Sequence, residues 1–302
     1  MNVLIAGGSG YLGSALAERL RAAGEGASIL TRGPSDPEGS VPRYHWDPER
    51  GAFDRKALEG VDAVVNLAGE NLSTGRWTAS RRKRFHASRV GATRLLVERL
   101  AEADPRPRTL VSASGVGYYG NRGEEPLTEA SAPGSGFLAE LCLAWEGAAA
   151  AAGAAGMRVV ITRFGVVMGP GDGALGMLIR VFRLGIGGRL GSGRQWMSWV
   201  SLEDAIAALR IALARADLAG SVNVVAPEPV RNAELARTLG RVLHRPAILP
   251  APALALRLVF GGMADEAMLA SGRVLPARLP ALGFRYALPT FEEAVLKAVA
   301  TA

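Results

Sequence analysis

Val3-Leu4-Ile5-Ala6, followed at once by Gly7-Gly8-Ser9-Gly10-Tyr11-Leu12-Gly13, decides the fold of this chain. The four apolar residues predict a short buried strand, and the glycines predict a tight turn directly after it. Residues 12–23 then carry apolar side chains at helical spacing, and residues 27–31 form a second apolar run. This order of strand, glycine turn, helix and strand predicts a βαβ unit with two parallel strands.

The glycine spacing of this turn points to a bound dinucleotide. Gly7, Gly10 and Gly13 follow a G-x-x-G-x-x-G pattern. Each glycine meets a physical need: a positive φ in the turn, close approach of the backbone to a pyrophosphate, and close contact between helix and strand. A bland glycine loop is the alternative, but the position between a strand and a helix favours the nucleotide. The predicted contacts are Gly7, Gly8, Ser9, Gly10, Tyr11, Leu12 and Gly13.

The end of the second strand indicates which dinucleotide is bound. NAD sites usually place an acidic residue there, on the ribose hydroxyls, whereas this chain has Thr31 and Arg32. An arginine can pair with a 2′-phosphate and stack on the adenine, so Arg32 predicts NADP(H). The alternative is a solvated arginine in an arginine-rich protein.

A third strand, predicted over residues 43–46, ends at Asp47-Pro48. In a doubly wound sheet this strand end lies beside the adenine pocket, so Asp47 is a candidate acceptor for the adenine amine. A plain turn at Asp-Pro explains the same residues equally well.

Strand and helix patterns alternate up to about residue 165, which predicts an α/β fold with a Rossmann-type, doubly wound parallel sheet. Beyond that point a glycine-rich loop at residues 169–173 precedes a helical pattern, and residues 221–225 form an apolar run that can rejoin the sheet. We expect a nucleotide-binding domain over residues 1–227, with a substrate-region insertion at about 170–200. Residues 228–302 are expected to form a smaller, mostly helical C-terminal substrate region. Further predicted strands are 61–70 (running into a turn), 109–114 and 158–164, with an extended segment at 194–200. Further predicted helices are a short one that ends at Leu58, and 78–102, 136–152, 174–184 and 202–213.

Composition limits the class of protein. The 302 residues are 49% hydrophobic and 21% charged, as in an ordinary globular protein. A single cysteine, Cys142, excludes an internal disulfide, and three histidines show no metal-ligand spacing. The first strand begins at Val3 and no apolar run is long enough for a bilayer, so we expect no signal peptide, no membrane association and a cytoplasmic location.

The net charge of +7 raises the question of nucleic-acid binding. The basic residues are spread along the chain, with one cluster at Arg81-Arg82-Lys83-Arg84. A cluster on one predicted helix is more often a solvated face than a nucleic-acid footprint, so we expect no nucleic-acid partner. We expect an unknown small-molecule substrate as the partner instead. The sequence leaves open whether the chain forms a homodimer.

Five further motifs are spread along the chain: Asn66-Leu67-Ala68-Gly69-Glu70, Ser88-Arg89-Val90, Ser112-Ala113-Ser114-Gly115-Val116-Gly117-Tyr118-Tyr119-Gly120, Gln195-Trp196-Met197-Ser198-Trp199 and Gly272-Arg273-Val274-Leu275-Pro276. Together with the glycine turn they resemble the extended short-chain dehydrogenase/reductase superfamily, the NAD-dependent epimerase/dehydratase group. Within that group they look like the "epimerase family" subgroup, whose substrate is uncertain and which ends in a small domain of unknown function. The resemblance implies further cofactor contacts at Leu67, Ala68, Gly69, Glu70, Arg89, Ser112 and Ala113.

The resemblance also implies a catalytic pair that this chain lacks. The superfamily uses a tyrosine as proton donor and a lysine four residues later, which lowers the tyrosine's pKa and holds the nicotinamide ribose. None of the five tyrosines here has a lysine four residues on. If Glu146 matches the superfamily's helix glutamate, Leu138 stands at the tyrosine position and Cys142 at the lysine position.

Substitutes for the missing pair are few. Ser114 matches the superfamily's strand-end serine, although an alignment shifted by one residue puts Gly115 there, and a serine that bonds its own backbone is the alternative. Tyr118 and Tyr119 are candidate proton donors. Glu70 and Glu140 are candidates only if they are buried, and Cys142 is expected to be packed rather than nucleophilic.

Two functions follow as hypotheses. The first is an atypical NADP(H)-dependent oxidoreductase or epimerase-family protein that acts on an unknown small molecule without the tyrosine–lysine pair. The second is a non-catalytic NADPH-binding redox sensor or regulatory protein.

Overall fold

A computed structural model describes residues 1–73, 75–171 and 173–301. Its centre is an eight-stranded sheet in the order β12-β8-β6-β5-β1-β2-β3-β4, in which all neighbours are parallel except β3 and β4. These strands are β1 (Asn2–Ala6), β2 (Gly26–Thr31), β3 (Arg43–Asp47), β4 (Ala52–Phe53), β5 (Ala63–Asn66), β6 (Thr109–Gly115), β8 (Arg158–Phe164) and β12 (Gly220–Val224). The predicted doubly wound Rossmann-type fold is confirmed.

Three two-stranded sheets lie outside the main sheet. They pair β10 with β13, β11 with β9, and β14 with β7. Their strands are β7 (Pro126–Leu127), β9 (Val166–Met168), β10 (Trp196–Met197), β11 (Trp199–Ser201), β13 (Val230–Arg231) and β14 (Arg273–Val274).

Helices cover both faces of the main sheet, which explains the near-continuous apolar runs of its strands. Helices α1 and α6 pack on one face through Leu16, Leu20 and Leu209. Helices α3 and α4 pack on the other face of the sheet, where Leu96 and Ala149 belong to a second apolar core. The α-helices are α1 (Tyr11–Ala22), α2 (Ala79–His86), α3 (Ala92–Glu102), α4 (Phe137–Ala150), α5 (Ala174–Arg183), α6 (Leu202–Ala214), α7 (Asn232–Leu243), α8 (Ala253–Phe260), α9 (Arg278–Ala281) and α10 (Phe291–Ala300).

The chain reverses its winding direction between β1 and β5, because β2 and β3 lie on one side of β1 and the later strands lie on the other. Ala6 pairs with both Leu30 and Asn66, so the carboxyl ends of three strands meet there. In open α/β sheets this switch point is where ligands bind.

A separate apolar core holds the C-terminal region together. Helices α5, α7 and α10 contribute Ile179, Leu239 and Val295, and Trp199 is fully buried among them. The segment that begins near residue 174 therefore packs with residues beyond 230. The predicted domain boundary at residue 227 stays a prediction, and Asp172 of the predicted 169–173 loop lies outside the described residues.

Two expectations about helices need correction. The helix predicted over residues 78–102 is three segments, since a π-helical turn at Ala87–Gly91 separates α2 from α3. We also expected no apolar run long enough to cross a bilayer. One helical segment, Phe137–Ala155, is long and apolar enough to do so, by length and composition alone. Its buried face packs against α3 and carries Glu146, as expected of a core helix.

Candidate functional site

Gly7 and Gly13 of the glycine turn have no room for a Cβ. Gly7 has a φ of +78°, and a Cβ on it would lie 2.7 Å from the carbonyl carbon of Leu67. A Cβ on Gly13 would lie 2.3 Å from the carbonyl oxygen of Gly7, so only glycine lets α1 pack this closely on the turn. Gly10 begins α1 as its N-cap, and its missing Cβ faces only the Gly7 carbonyl oxygen. The turn has the shape of a phosphate cradle.

Tyr11 ties the cradle to the loop around residue 170. Its hydroxyl donates to the carbonyl oxygen of Pro170 at 2.8 Å, and burial raises its pKa. Ser9 is exposed beside it, and Leu12 packs toward the core of the α1 face.

Arg32 is exposed and makes no hydrogen bond or ion pair with the described part of the chain. It follows β2 directly, where the adenine ribose of a bound dinucleotide would lie. Asp47 instead serves a turn, because its Oδ1 accepts from the Glu49 N–H at 3.0 Å and it pairs with Arg50 at 3.6 Å. The turn interpretation of Asp47 is therefore realised, and its contact with adenine stays a prediction.

The segment after β5 forms the other wall of the crevice. The Leu67 N–H donates to the Ala6 carbonyl at 2.8 Å, and Ala68 is buried. Glu70 is anchored by Arg84 at 2.8 Å and Arg81 at 3.4 Å, while its N–H donates to Ser88 Oγ. The Glu70 side chain is only partly buried and both contacts engage the same carboxylate, so the burial that its candidacy required is not met.

Ser112 and Ala113 lie on β6 beside this wall, and both are buried. Asn66 Nδ2 donates to Ser112 Oγ at 3.2 Å and to Thr93 Oγ1 at 2.8 Å. The Ser112 side chain thus connects β5 and β6, and its contact with a cofactor stays a prediction.

A buried network lies at the carboxyl end of β6. Ser114 Oγ donates to Glu146 Oε1 at 2.7 Å. Arg163 donates to both oxygens of the same carboxylate, from Nε at 2.8 Å and from Nη2 at 2.7 Å. The two side chains are only 5% and 11% exposed, so the ion pair is a buried one. Its hydrogen bonds raise the pKa of Arg163 despite an opposing effect of burial.

The two adjacent tyrosines have different surroundings. Tyr119 is fully buried, its hydroxyl donates to Asn223 Oδ1 at 2.7 Å, and it accepts from Arg163 Nη1 at 2.9 Å. Burial raises its pKa. The centroid of the Tyr118 ring lies 3.5 Å from the Arg163 Cζ. The Tyr118 hydroxyl has no hydrogen-bond partner in the ranges that the structure describes. Of the two candidates, Tyr118 is the one with a free hydroxyl.

Leu138 and Cys142 stand on α4 opposite this strand end. A Cβ on Gly117 would lie 3.1 Å from the Leu138 Cβ, so the residue before Tyr118 touches the position of the missing tyrosine. Cys142 shares an apolar cluster with Tyr118, and burial raises the pKa of its thiol. The expectation of a packed rather than nucleophilic cysteine fits this environment.

Arg89 is the most unusual group of the site. It lies on the π-helical turn and is 9% exposed, yet its Nη1 atom has no hydrogen-bond partner among the described residues. Its guanidinium faces Gly69, where a Cβ would lie 2.9 Å from the Arg89 Cζ. Burial lowers its pKa to about 10, so the group stays charged at neutral pH.

Three side chains that hold the site were not singled out from the sequence. Asn223 links β12 to Tyr119, Glu129 accepts from the Asn223 N–H at 3.1 Å, and Glu266 accepts from the first N–H groups of α4 at 3.1 and 2.8 Å. Each contact joins residues about 90 or more positions apart, so no local pattern signals it. Glu140 is exposed, which removes the burial that its candidacy required.

The tryptophans of this region lie in apolar clusters or at a surface cavity. Trp77 and Trp199 are buried in apolar clusters, while Trp196 lines a surface cavity of about 610 Å³ together with Arg273 and Glu228. Within residues 1–73, 75–171 and 173–301, no group of three His, Cys, Asp or Glu residues could hold a metal ion.

The sequence pattern of the NAD dependent epimerase/dehydratase family matches residues 3–225. The chain belongs to this family. A domain of unknown function, DUF1731, matches residues 251–298. The resemblance drawn from the motifs is thus confirmed for both parts.

Relatives match over nearly the whole chain. An epimerase family protein of Mycobacterium bovis is 45% identical over 294 residues, which are 97% of this chain and 96% of the relative. Epimerase family protein SDR39U1 of Bos taurus is 37% identical over 308 residues, with 99% of this chain and 100% of the relative covered.

Solved structures agree with the fold. The human epimerase family protein SDR39U1, crystallised with NADPH, superposes with a TM-score of 0.89 at 34% identity over 100% of both chains. A nucleoside-diphosphate sugar epimerase of Corynebacterium glutamicum gives a TM-score of 0.82 at 33% identity, and this chain spans 58% of its length. A UDP-glucose 4-epimerase of Thermus thermophilus, at 22% identity and a TM-score of 0.78, shares the fold.

Proposed function

We propose that this family member binds NADP(H) across the carboxyl ends of β1, β2 and β5, and uses it to oxidise or reduce a small molecule. Two observations fit the cofactor to these residues. Gly7 and Gly13 have no room for a Cβ, which lets α1 pack on the turn as closely as a phosphate cradle requires, and a buried Arg89 nitrogen lacks an acceptor among the described residues. The human relative, which covers the whole chain, was crystallised with NADPH.

Each part of the nucleotide has residues to hold it. The backbone of the glycine turn and the N-terminus of α1 receive the pyrophosphate. Arg32, exposed and without a partner in the described ranges, is free to pair with the 2′-phosphate. The wall of Leu67, Ala68 and Gly69 lies along the nicotinamide half.

The free hydroxyl of Tyr118 is the observation that carries the enzymatic proposal. Bound NADPH supplies a hydride to a carbonyl carbon. Tyr118 Oη gives the proton that the carbonyl oxygen needs and regains one from solvent. Tyr119 has a structural task, because its hydroxyl already serves Arg163 and Asn223. Ser114 is fixed by Glu146 and orients the strand end next to Tyr118.

Tyr118→Phe tests this assignment. NADPH oxidation is followed by absorbance across a panel of carbonyl compounds. We expect kcat to fall roughly 100-fold or more with unchanged NADPH affinity, since general acid catalysis typically contributes about 10²–10⁴-fold. Tyr286→Phe is the matched control, because the buried Tyr286 hydroxyl lies on the α1 and α6 face and has no partner in the described ranges. Equal turnover by Tyr118→Phe and the wild type would refute the role of Tyr118.

Arg32→Asp tests the choice of cofactor. Loss of a charge-assisted contact to phosphate should weaken NADPH binding roughly 10- to 100-fold. NADH has no 2′-phosphate, so its affinity should change little or improve. Equal losses for both nucleotides, measured by calorimetry, would contradict the assignment of Arg32.

A second function is favoured by the composition of α4. Leu138 cannot transfer a proton and the Cys142 thiol is neutral, so a chain that binds NADPH without turnover is consistent with these positions. Such a protein would report the NADPH level to a partner protein. Absence of turnover over the whole panel, together with a partner that is released or captured on adding NADPH, would favour this function over the enzyme.

A further inference from the structure

Exposed apolar side chains are concentrated on one part of the C-terminal region. In the described part of the chain thirteen large apolar side chains are exposed, and nine of them lie in two short segments, 177–186 and 248–259. The nine are Met177, Val181, Leu184, Ile186, Ile248, Leu249, Leu254, Leu258 and Val259. Single exposed apolar residues need no explanation, but a group of this size marks an interaction site.

The two segments lie side by side. Leu190 forms a β-bridge with Ala251, whose N–H donates to the Arg189 carbonyl oxygen at 2.9 Å. Earlier in both segments, Arg245 Nε donates to the Arg183 carbonyl oxygen at 3.2 Å. The end of α5 is thus joined to the chain that leads into α8. The nine side chains therefore contribute to one surface, which we call the α5–α8 surface.

The two helices expose these side chains at helical spacing. On α5, Met177, Val181 and Leu184 recur at intervals of four and three residues, and on α8 Leu254 and Leu258 are four residues apart. Helix α5 buries a different apolar stripe in the core of the C-terminal region, and α8 has a single buried residue. A helix that is apolar beyond its buried stripe needs a partner for the exposed one.

The charge within these segments has one sign. Residues 177–190 and 244–260 contain five arginines and no aspartate or glutamate. One of the five, Arg257, pairs with Asp265 at 2.9 Å, and both of these side chains are about half exposed. The net charge of the chain is +7, so its long-range field also favours a negatively charged partner.

The basic cluster of α2 lies beside α8. Arg76 Nη1 donates to a carbonyl oxygen in the last turn of α8 at 3.0 Å, and a Cβ on Gly262 would collide with Arg82 Nη2. Glu70 pairs with the first and last arginines of the run Arg81-Arg82-Lys83-Arg84. The rest of this run adds positive charge next to the apolar side chains of α8.

The partner has to accept protruding apolar side chains and positive charge together. Ile248 is 78% exposed, Leu184 74% and Leu254 68%, so these side chains stand out from the protein. A second copy of the chain fits poorly, since a two-fold interface would place the same arginines against each other. An anionic bilayer fits both features, because its acyl boundary takes up apolar side chains and its headgroups pair with arginines.

We propose that the α5–α8 surface binds the anionic surface of a lipid bilayer, with its leucine and isoleucine side chains at the acyl boundary and its arginines on the lipid phosphates. The chain then lies on the membrane and does not span it. The expectation of no membrane association considered only runs long enough to cross a bilayer, whereas peripheral binding needs only surface side chains. This inference goes beyond the proposed function and does not depend on NADP(H) binding.

Co-sedimentation of the full-length chain with lipid vesicles tests the inference. One set of vesicles contains phosphatidylcholine mixed with phosphatidylglycerol, and the other contains phosphatidylcholine alone. We expect binding to the anionic vesicles to be roughly tenfold tighter or more, and to weaken as the salt concentration rises.

The apolar contribution is tested by Leu254→Gln/Leu258→Gln. This variant should bind anionic vesicles roughly 10- to 100-fold more weakly, because two side chains no longer leave water on binding. Its Tm and its NADPH affinity should stay unchanged, since both leucines are exposed. Leu143→Gln/Leu296→Gln is the matched control: these leucines are exposed on α4 and α10, outside the α5–α8 surface, and vesicle binding should equal that of the wild type.

The electrostatic contribution is tested by Arg183→Gln/Arg245→Gln. Each arginine near an anionic surface contributes roughly a fivefold increase in binding, so the double variant should bind the anionic vesicles roughly tenfold more weakly or less. Its binding should also depend less steeply on salt than that of the wild type.

Three results overturn the inference. The first is a wild type that does not bind anionic vesicles. The second is vesicle binding by Leu254→Gln/Leu258→Gln equal to that of the wild type. The third is a wild-type dimer that this variant dissociates, measured by analytical ultracentrifugation without vesicles, which would show an interface between two copies of the chain. NADPH binding is measured separately, so failure of the proposed function is distinguishable from all three.

Discussion

Replacing Glu146 by glutamine should strongly destabilise the fold. The Glu146 carboxylate accepts hydrogen bonds of 2.8 and 2.7 Å from Arg163 and one of 2.7 Å from Ser114. The paired side chains are 11% and 5% exposed, so the remaining guanidinium could not be solvated. Breaking a buried ion pair on one side costs about 3–5 kcal/mol of unfolding free energy. At the ~2 °C per kcal/mol typical of larger domains, the Tm should fall by about 6–10 °C.

The assay is urea and thermal unfolding of the wild type and two variants. Glu124→Gln is the control, because Glu124 also makes two contacts with one arginine, Arg231, at 3.0 and 2.8 Å. That pair is exposed, with Glu124 63% accessible, so its loss should lower the stability far less than the loss of Glu146. A Glu146→Gln variant as stable as Glu124→Gln would refute the view that this network holds β6, β8 and α4 together.

Three further outcomes follow from the same geometry. Tyr119→Phe should lower the free energy of unfolding by about 1–3 kcal/mol, measured in urea, since Arg163 and Asn223 each lose a buried partner; an unchanged midpoint would contradict this. Gly13→Ala should abolish detectable NADPH binding in a thermal-shift assay, because the alanine Cβ would lie 2.3 Å from the Gly7 carbonyl oxygen. A rise in Tm on adding NADPH equal to that of the wild type would argue against the cradle. Cys142 should resist alkylation at pH 8.5 in the native protein and react after unfolding, because burial raises the pKa of its thiol. Rapid labelling of the native protein would contradict this by showing an accessible thiolate.

Local patterns were sufficient for the fold. The apolar run at β1, the glycine turn and the amphipathic α1 each depend on residues adjacent in sequence, and their predicted ends lie within one residue of the observed ones. The apolar run predicted over 221–225 does rejoin the sheet, as β12 beside β8. The π-helical turn escaped prediction because Ala87–Gly91 has the same helical spacing as its neighbours.

The candidate site was less accessible to sequence reasoning. Motifs located Ser114, Tyr118 and Tyr119 at one strand end, but they could not distinguish the two tyrosines. The distinction depends on Asn223, which lies 104 positions after Tyr119 and accepts the hydrogen bond of the Tyr119 hydroxyl. Arg89 was assigned only as a cofactor contact, since the sequence gives no sign that its guanidinium would be buried without an acceptor.

Calorimetric titration of the purified chain with NADPH, and separately with NADH, tests the central claim most directly. The glycine cradle and the free Arg32 predict saturable 1:1 binding of NADPH, at least tenfold tighter than that of NADH. Absence of any heat of binding with NADPH, while the protein remains folded by circular dichroism, would contradict the account.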